Sequence, residues 1–309
     1  MLSRVAENVY WLGRYVERAE NVARCVDVNL QLQLDLPGED RPWEPVIQAA
    51  GSATDFFRRY RHVSIENALT FLAFDIENPS SIINCVSAAR ENARIVREQI
   101  PAELWMVINR FYLKLREESA AEAMLKSPHL FFDEVKEFSQ LAAGILQSTM
   151  NHDEAWNFAK LGCFIERGDQ TSRILDVKYY ILLPNVSMVG LQLDTVQWTA
   201  LLKSVSAFQM FRKAYGEVTP RNVSEFLFLS QDFPRSFRYA LTEVVSALRQ
   251  IALPERADAE SLRLAGKLHA EFEFTTIEEV IRRGLHESIE VFQRKLAELS
   301  LAIHNDFFV

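Results

Sequence analysis

The chain has 309 residues, 49% hydrophobic and 25% charged, a balance that excludes a disordered polymer and allows a sizeable buried core. Its formal charge of −8, from 34 basic and 42 acidic residues, argues against a general nucleic-acid or anionic-membrane binder, because such proteins carry a basic excess. Only 10 glycines and 10 prolines occur, so turns are few and elements are long.

In chain order, helical periodicity predicts one long helix from Ser3 to about Leu36, ended by Pro37-Gly38. Shorter helices follow near 43–60 and 64–74, and then Ser80 to Ile100. Pro101 suits the first position of a helix running through Arg116, where its missing N–H is no loss. A helix from Pro128 to about Met150 comes next, then one capped by Asn151 or Asp153 and running to Pro184. The remaining helices are expected at about 194–215, 220–230, 234–252, 258–273 and 276–304. No strand-like alternation of useful length occurs, so the expected fold class is all-α.

The second half of the chain repeats the first. At an offset of 149, Leu12, Gly13, Glu17, Arg18, Arg24, Asp27 and Val28 fall on Leu161, Gly162, Glu166, Arg167, Arg173, Asp176 and Val177. At an offset of 155, Trp43, Phe56, Tyr60, Asn67, Phe71, Pro79, Ser81 and Arg94 fall on Trp198, Phe211, Tyr215, Asn222, Phe226, Pro234, Ser236 and Arg249. The difference is a six-residue insertion after the first helix of the second copy. Such a period is far longer than a solenoid repeat. The expectation is a helical bundle made by internal tandem duplication, with repeats 1–150 and 151–309 packed as two pseudo-symmetric halves of one compact unit.

On a helical wheel, Gly13, Glu20, Asn21 and Arg24 lie within about 60° of Glu17, with Asp27 at the edge, while Leu12, Ala19, Ala23, Val26 and Leu30 form the opposite stripe. Arg18 sits about 100° from Glu17. Neighbours in sequence cannot face each other on a helix, so Glu17 and Arg18 must address different partners. Gly162, Glu166, Asp169, Gln170 and Arg173 repeat the face, flanked by Arg167. A helical glycine costs roughly 1 kcal/mol relative to alanine. One standing a turn before each Glu therefore implies close approach by another helix or a ligand. The face reads as a buried salt-bridge network, as a polar pocket whose carboxylates take an amine or a metal and whose arginines take a carboxylate or phosphate, or as a solvated surface.

Arg90, Arg94 and Arg97 form a second basic stripe near Asn92, with Glu91 and Glu98 available to offset it. Asp232 is a candidate N-cap for a helix whose first turn would hold Arg235 beside Ser236, an arrangement suited to an anion. No histidine has an acid three residues before it, as a helical di-metal carboxylate site would need, and nucleotide, hydrolase and zinc-protease signatures are absent. No metal centre or cofactor is expected. Cys25, Cys85 and Cys163 are odd in number and widely spaced, which suits a reducing compartment. No apolar leader and no run of about 18 apolar residues occurs, so the expected location is cytoplasmic.

The segments MLSRVAENVYWLGRYVERAENVAR at the start, ARENAR at 89–94, LGCFIERGDQTSRILDV at 161–177 and DFPRSFRYAL at 232–241 resemble the bacterial alpha-E family over essentially the whole chain. The resemblance places the family's Glu-Arg motif on Glu17-Arg18 and Glu166-Arg167, and its other signature positions on Arg90, Asn92, Arg94, Pro234, Arg235 and Ser236. Cys163 stands where the first copy has Arg14. Family members accompany a circularly permuted ATP-grasp protein and a transglutaminase-like protein. The resemblance therefore implies a part in an amide-bond-forming or peptide-modifying system, with an ATP-grasp ligase and a transglutaminase-like protein as partners and an amino acid or peptide as substrate. Substrate or anion binding would fall to Arg18, Asn21, Arg24, Arg90, Asn92, Arg94, Arg167, Arg173, Arg235 and Ser236, within a network of Glu20, Asp27, Asp169 and Asp176. One alternative is an enzyme using Glu17 or Glu166 as general base in acyl transfer, which would need an upward-shifted carboxyl. Another is a purely structural helical scaffold.

Overall fold

The computed structural model describes residues 1–35, 43–50, 53–182, 192–252 and 259–309, and the described residues form helices and no strand. In order these are α1 (Ser3–Asp35), α2 (Glu44–Ala50), α3 (Ala53–Arg59), α4 (Ile65–Ala73), α5 (Ile82–Ile95), α6 (Ala102–Leu115), α7 (Ala120–Lys126) and α8 (Pro128–Thr149). They continue with α9 (Glu154–Leu182), α10 (Gln192–Ser204), α11 (Phe208–Tyr215), α12 (Pro220–Leu229), α13 (Phe237–Ile251), α14 (Glu260–Phe274), α15 (Ile277–Arg283) and α16 (Leu285–Phe307).

Capping chemistry sets many of the boundaries. Ser64, Ser81, Thr219 and Ser236 each accept a hydrogen bond from the amide three residues on, which satisfies a donor the helix leaves unpaired. Thr276 and Glu279 form a reciprocal capping box. Pro128 and Pro220 occupy first turns.

The differences from expectation are local. Pro101 is the cap of α6 and not its first helical residue. Ser236, and not Asp232, caps α13. The helix expected at 194–215 is divided near Ser206, whose φ is +53°, and the one at 276–304 is divided at Gly284, whose φ of +103° favours a residue without a Cβ. The short helix α7 was not signalled by the sequence. Pro37-Gly38, Pro184 and the stretch holding most of the expected insertion lie outside the described residues.

Helices α1 and α9 pack against each other at the centre, with α5 and α8 against α1 and α13 and α16 against α9. Helix α2 packs chiefly on α9, although it follows α1, and α10 chiefly on α1, although it follows α9. Leu12, Ala19, Ala23, Val26 and Leu30, the predicted apolar stripe of α1, are all buried. They join one core with Leu161, Ile165 and Leu175 of α9, Phe132 of α8, Phe237 of α13 and Phe292 of α16. No helix among the described residues is long and apolar enough to cross a membrane.

The central contact is made backbone to backbone. A Cβ on Gly13 would fall on the carbonyl oxygen of Ala159 and lie 3.2 Å from the Cys163 amide nitrogen, and a Cβ on Gly162 would fall on the carbonyl oxygen of Tyr10. The close approach inferred from the two glycines is thus by each other's helix. Gly13→Ala and Gly162→Ala should each destabilise the protein by about 1–3 kcal/mol in denaturant unfolding, because forced separation of packed helices outweighs the gain in helix propensity. Gly144→Ala, in α8 with nothing within 4 Å of the added carbon, should raise stability by up to about 1 kcal/mol.

Candidate functional site

Where α1 and α9 meet, the two Glu-Arg motifs pair crosswise. Arg167 donates from Nε to Glu17 Oε1 at 3.0 Å and from Nη2 to Oε2 at 2.7 Å. Arg18 in turn donates from Nε to Glu166 Oε1 at 2.6 Å and from Nη2 to Oε2 at 2.9 Å. Each pair is bidentate, the strongest geometry for a guanidinium and a carboxylate. Neither motif pairs internally, in keeping with the 100° step between neighbours.

Each carboxylate receives a second guanidinium from a different place. Glu166 takes Arg14 Nε at 2.8 Å, one turn before Arg18 on α1, and Gln170 Nε2 at 3.1 Å. One turn before Arg167 on α9 stands Cys163, whose thiol donates to Glu17 Oε2 at 3.3 Å. The second guanidinium on Glu17 comes from Arg235, whose Nη1 donates to Glu17 Oε1 at 2.9 Å and Asn21 Oδ1 at 2.7 Å, and whose Nη2 donates to Glu20 Oε1 at 2.8 Å. The Ser236 cap, bonded to the Ser230 carbonyl at 2.5 Å, fixes the turn that holds Arg235 inward. The anion that Arg235 binds is therefore the protein's own. Arg24 closes the group on Glu20 Oε1 at 2.8 Å through Nε and reaches Ser206 through Nη1.

Glu17 is 3% exposed and Glu166 0%. Burial pushes both carboxyls upward, but Arg167 and Arg235 around Glu17, and Arg14 and Arg18 around Glu166, more than reverse this and hold both well below the usual carboxylate range. The raised carboxyl that a general base would need is not what the structure contains. Burial opposes charging of the guanidinia, but Tyr10 and Glu166 beside Arg14, Glu166 beside Arg18, and Cys163 and Glu17 beside Arg167 raise all three above their ordinary values. For Cys163, burial together with the nearby Glu17 pushes the thiol up to about 12 against the pull of Arg167, so it stays protonated as a donor.

On the Cys163 side the network borders a cleft of about 520 Å³. Its floor is Gly13, Val16, Glu17 and Glu20 of α1 and Ala159, Cys163 and Arg167 of α9. Ser139, Ala143, Leu146 and Gln147 of α8 make one wall, Tyr239 and Glu243 of α13 the other. At the outer end His152 stacks on Trp156 with ring centroids 3.9 Å apart. Lys160 pairs with Glu243 at 2.5 Å and lies over the Trp156 ring.

The other candidate residues lie outside this network. Arg90 donates to Asn109 at 2.8 Å and to Glu91 at 2.6 Å, and stacks over Tyr112. Arg94 is exposed and bonded to Glu91, whereas the buried Nδ2 of Asn92 has no partner among the described residues. Asp169 pairs with Arg173 at 2.8 Å. Asp27 is held by Lys136 at 2.7 Å and His129 at 2.8 Å, and Asp176 meets His286 at 2.6 Å. Sequence reasoning did not reach Tyr239, Glu243, Trp156, Lys160 or His152. Trp156 and Lys160 form an i, i+4 pair on α9 and Tyr239 and Glu243 another on α13, each indistinguishable from a solvated face until the helices are assembled.

These features define an all-helical protein organised around Glu-Arg motifs on two long helices. The chain belongs to the Alpha-E family, whose model, described as a predicted alpha-helical domain with a conserved ER motif, matches residues 1–308. Uncharacterized proteins of Mycobacterium bovis and Mycobacterium tuberculosis are each 25% identical to it over 329 aligned residues, covering 97% of this chain and 35% of theirs. The chain thus spans about a third of the length of the curated relatives it matches. No solved structure matches it.

Removing either carboxylate strands buried guanidinia, so Glu17→Gln and Glu166→Gln should each cost about 3–5 kcal/mol in reversible unfolding. A depressed carboxyl pKa contributes stability that is complete above the ordinary value of 4.5 and lost as pH falls through the folded value. Wild-type stability should therefore fall steeply below about pH 4.5, and the double variant should show a flatter acid limb in urea melts taken across pH 2–7.

Proposed function

We propose that the chain is a non-catalytic or co-catalytic component of an ATP-grasp-linked amide-bond-forming system, in which the crossed Glu-Arg network is a structural clamp and the adjoining cleft holds an amino-acid or peptide substrate. The observation that carries this reading is the open edge of an otherwise closed network. Most of its polar groups are spent on one another, yet Glu20, Cys163 and Arg167 also line a cleft of about 520 Å³, within the range of small-ligand sites. A purely structural scaffold accounts for the clamp but not for a cleft of that size beside it. General-base catalysis by Glu17 or Glu166 is disfavoured, because both carboxylates are saturated with donors and held ionised. The ATP-grasp and transglutaminase-like partners follow from the family resemblance, and an ATP-dependent partner together with three free cysteines suits the cytoplasm.

The same reading takes 1–150 and 151–309 as tandem copies related by pseudo-twofold symmetry. Supporting it are the crossed pairs, the reciprocal glycine contacts, the paired caps Ser64/Thr219 and Ser81/Ser236, and the matching Phe56–Tyr60 and Phe211–Tyr215 stacks.

The test is reconstitution with an ATP-grasp protein and a transglutaminase-like protein from the same organism, following ATP-dependent amide formation. The chain alone should turn over no acyl phosphate, and its addition should raise product formation at least several-fold. Absence of both association and stimulation would remove the ligase assignment. Acyl transfer by the isolated chain, abolished in Glu17→Gln without loss of fold, would restore the catalytic alternative.

A further inference from the structure

We infer that the cleft receives the carboxylate end of an extended ligand, a peptide C-terminus or a free amino acid, with Arg167 and Tyr239 donating to the carboxylate and Glu20 accepting the ligand's own N–H. This rests on the cleft being the substrate site and adds the ligand's chemistry and direction.

Charge comes first. Three guanidinia, from Arg24, Arg167 and Arg235, face two carboxylates, Glu17 and Glu20. Lys160 is neutralised by Glu243, and Cys163 is a neutral donor. One positive charge therefore remains uncompensated in a largely buried setting, where an anion is the natural complement.

Hydrogen-bonding capacity agrees. Arg167 spends Nε and Nη2 on Glu17, and among the described residues its Nη1 has no acceptor. The half-buried Tyr239 hydroxyl also has no partner among them. Among the described residues every bond to Glu20 falls on Oε1, leaving Oε2 without a donor from them on a side chain only 7% exposed. Two donors and one acceptor are what the terminal unit of a peptide or an amino acid requires, whereas a bare anion leaves Glu20 unanswered.

Shape supplies the rest. The α9 row runs from His152, just ahead of the helix, to Arg167, roughly 22 Å at 1.5 Å per residue, so the cleft is long and narrow. Its location has a simple cause. On α1, Arg14 fills the place one turn before the motif arginine, and on α9 that place holds only the small thiol of Cys163. An arginine there would occupy the cleft floor while still bonding the opposing Glu, as Arg14 does.

Three probes would be presented to the full chain in equilibrium dialysis with mass-spectrometric readout: a mixed library of N-acetylated tetrapeptide acids, the same library as C-terminal amides, and the twenty free amino acids. Acids should be retained at least tenfold over amides, consistent with charge-assisted bonds. Retention should fall at least tenfold in Cys163→Arg and in Ala143→Trp, an exposed wall position on α8. Tyr239→Phe should narrow the acid-to-amide ratio several-fold without moving the melting midpoint. Retention of free amino acids above the peptide acids would assign the smaller ligand, and the reverse the peptide. Equal retention of acids and amides, lost in Ala143→Trp, would overturn the carboxylate inference but leave the cleft as the substrate site. Retention of no probe by the folded wild type would overturn both.

Discussion

Successive side chains on an α-helix diverge by about 100°, so Glu17 and Arg18, adjacent in sequence and buried together, point to different partners and do not neutralise each other. The rest of the molecule follows from how that demand is met. Glu17 takes Arg167, Glu166 takes Arg18, and each long helix supplies what the other lacks. The exchange requires α1 and α9 to approach closely and in one register, which is why Gly13 and Gly162 stand where the backbones touch. Helices α5, α8, α13 and α16 then cover the flanks of a pair whose relative position is already determined.

Buried ion pairs are seldom the most stable way to fill a core, and here the apolar contacts of Leu12, Val26, Leu161 and Ile165 supply the driving force for burial. What the charges add is discrimination among packings. A slide of α1 against α9 by one turn would keep apolar surface buried but separate Glu17 from its three hydrogen bonds with α9 and Glu166 from its three with α1. The clamp also holds the cleft floor rigid, because Arg167, Cys163 and Glu20 are fixed by partners on the side away from the opening.

Much of the architecture was legible from periodicity and turn chemistry, since α1 and α8 have clear apolar rows with a serine or proline at their starts, and Asp153 marks the start of α9. The breaks at Ser206 and Gly284 were not, because a single residue at positive φ leaves the surrounding pattern intact. At the site, the wheel put Glu17, Glu20, Asn21 and Arg24 on one face and Arg18 on another, and the contacts agree. It could not say that Arg235 points inward, since that depends on Ser236 and not Asp232 serving as the cap. The cleft was invisible for a different reason. Tyr239 and Glu243 come from a helix some 75 residues beyond α9's midpoint, and nothing in a linear pattern reports which faces of four helices leave space between them.

The partners in the central exchange lie 146–150 residues apart in the chain, and α2 leans on a helix that follows it by about 100 residues. At about 5–20 residues per second of synthesis, Glu17 leaves the ribosome roughly 8–30 s before Arg167 exists. Until then the polar face of α1 has neither its guanidinium nor the backbone it is shaped to touch. The nascent first half therefore waits on α9, whose arrival times its maturation.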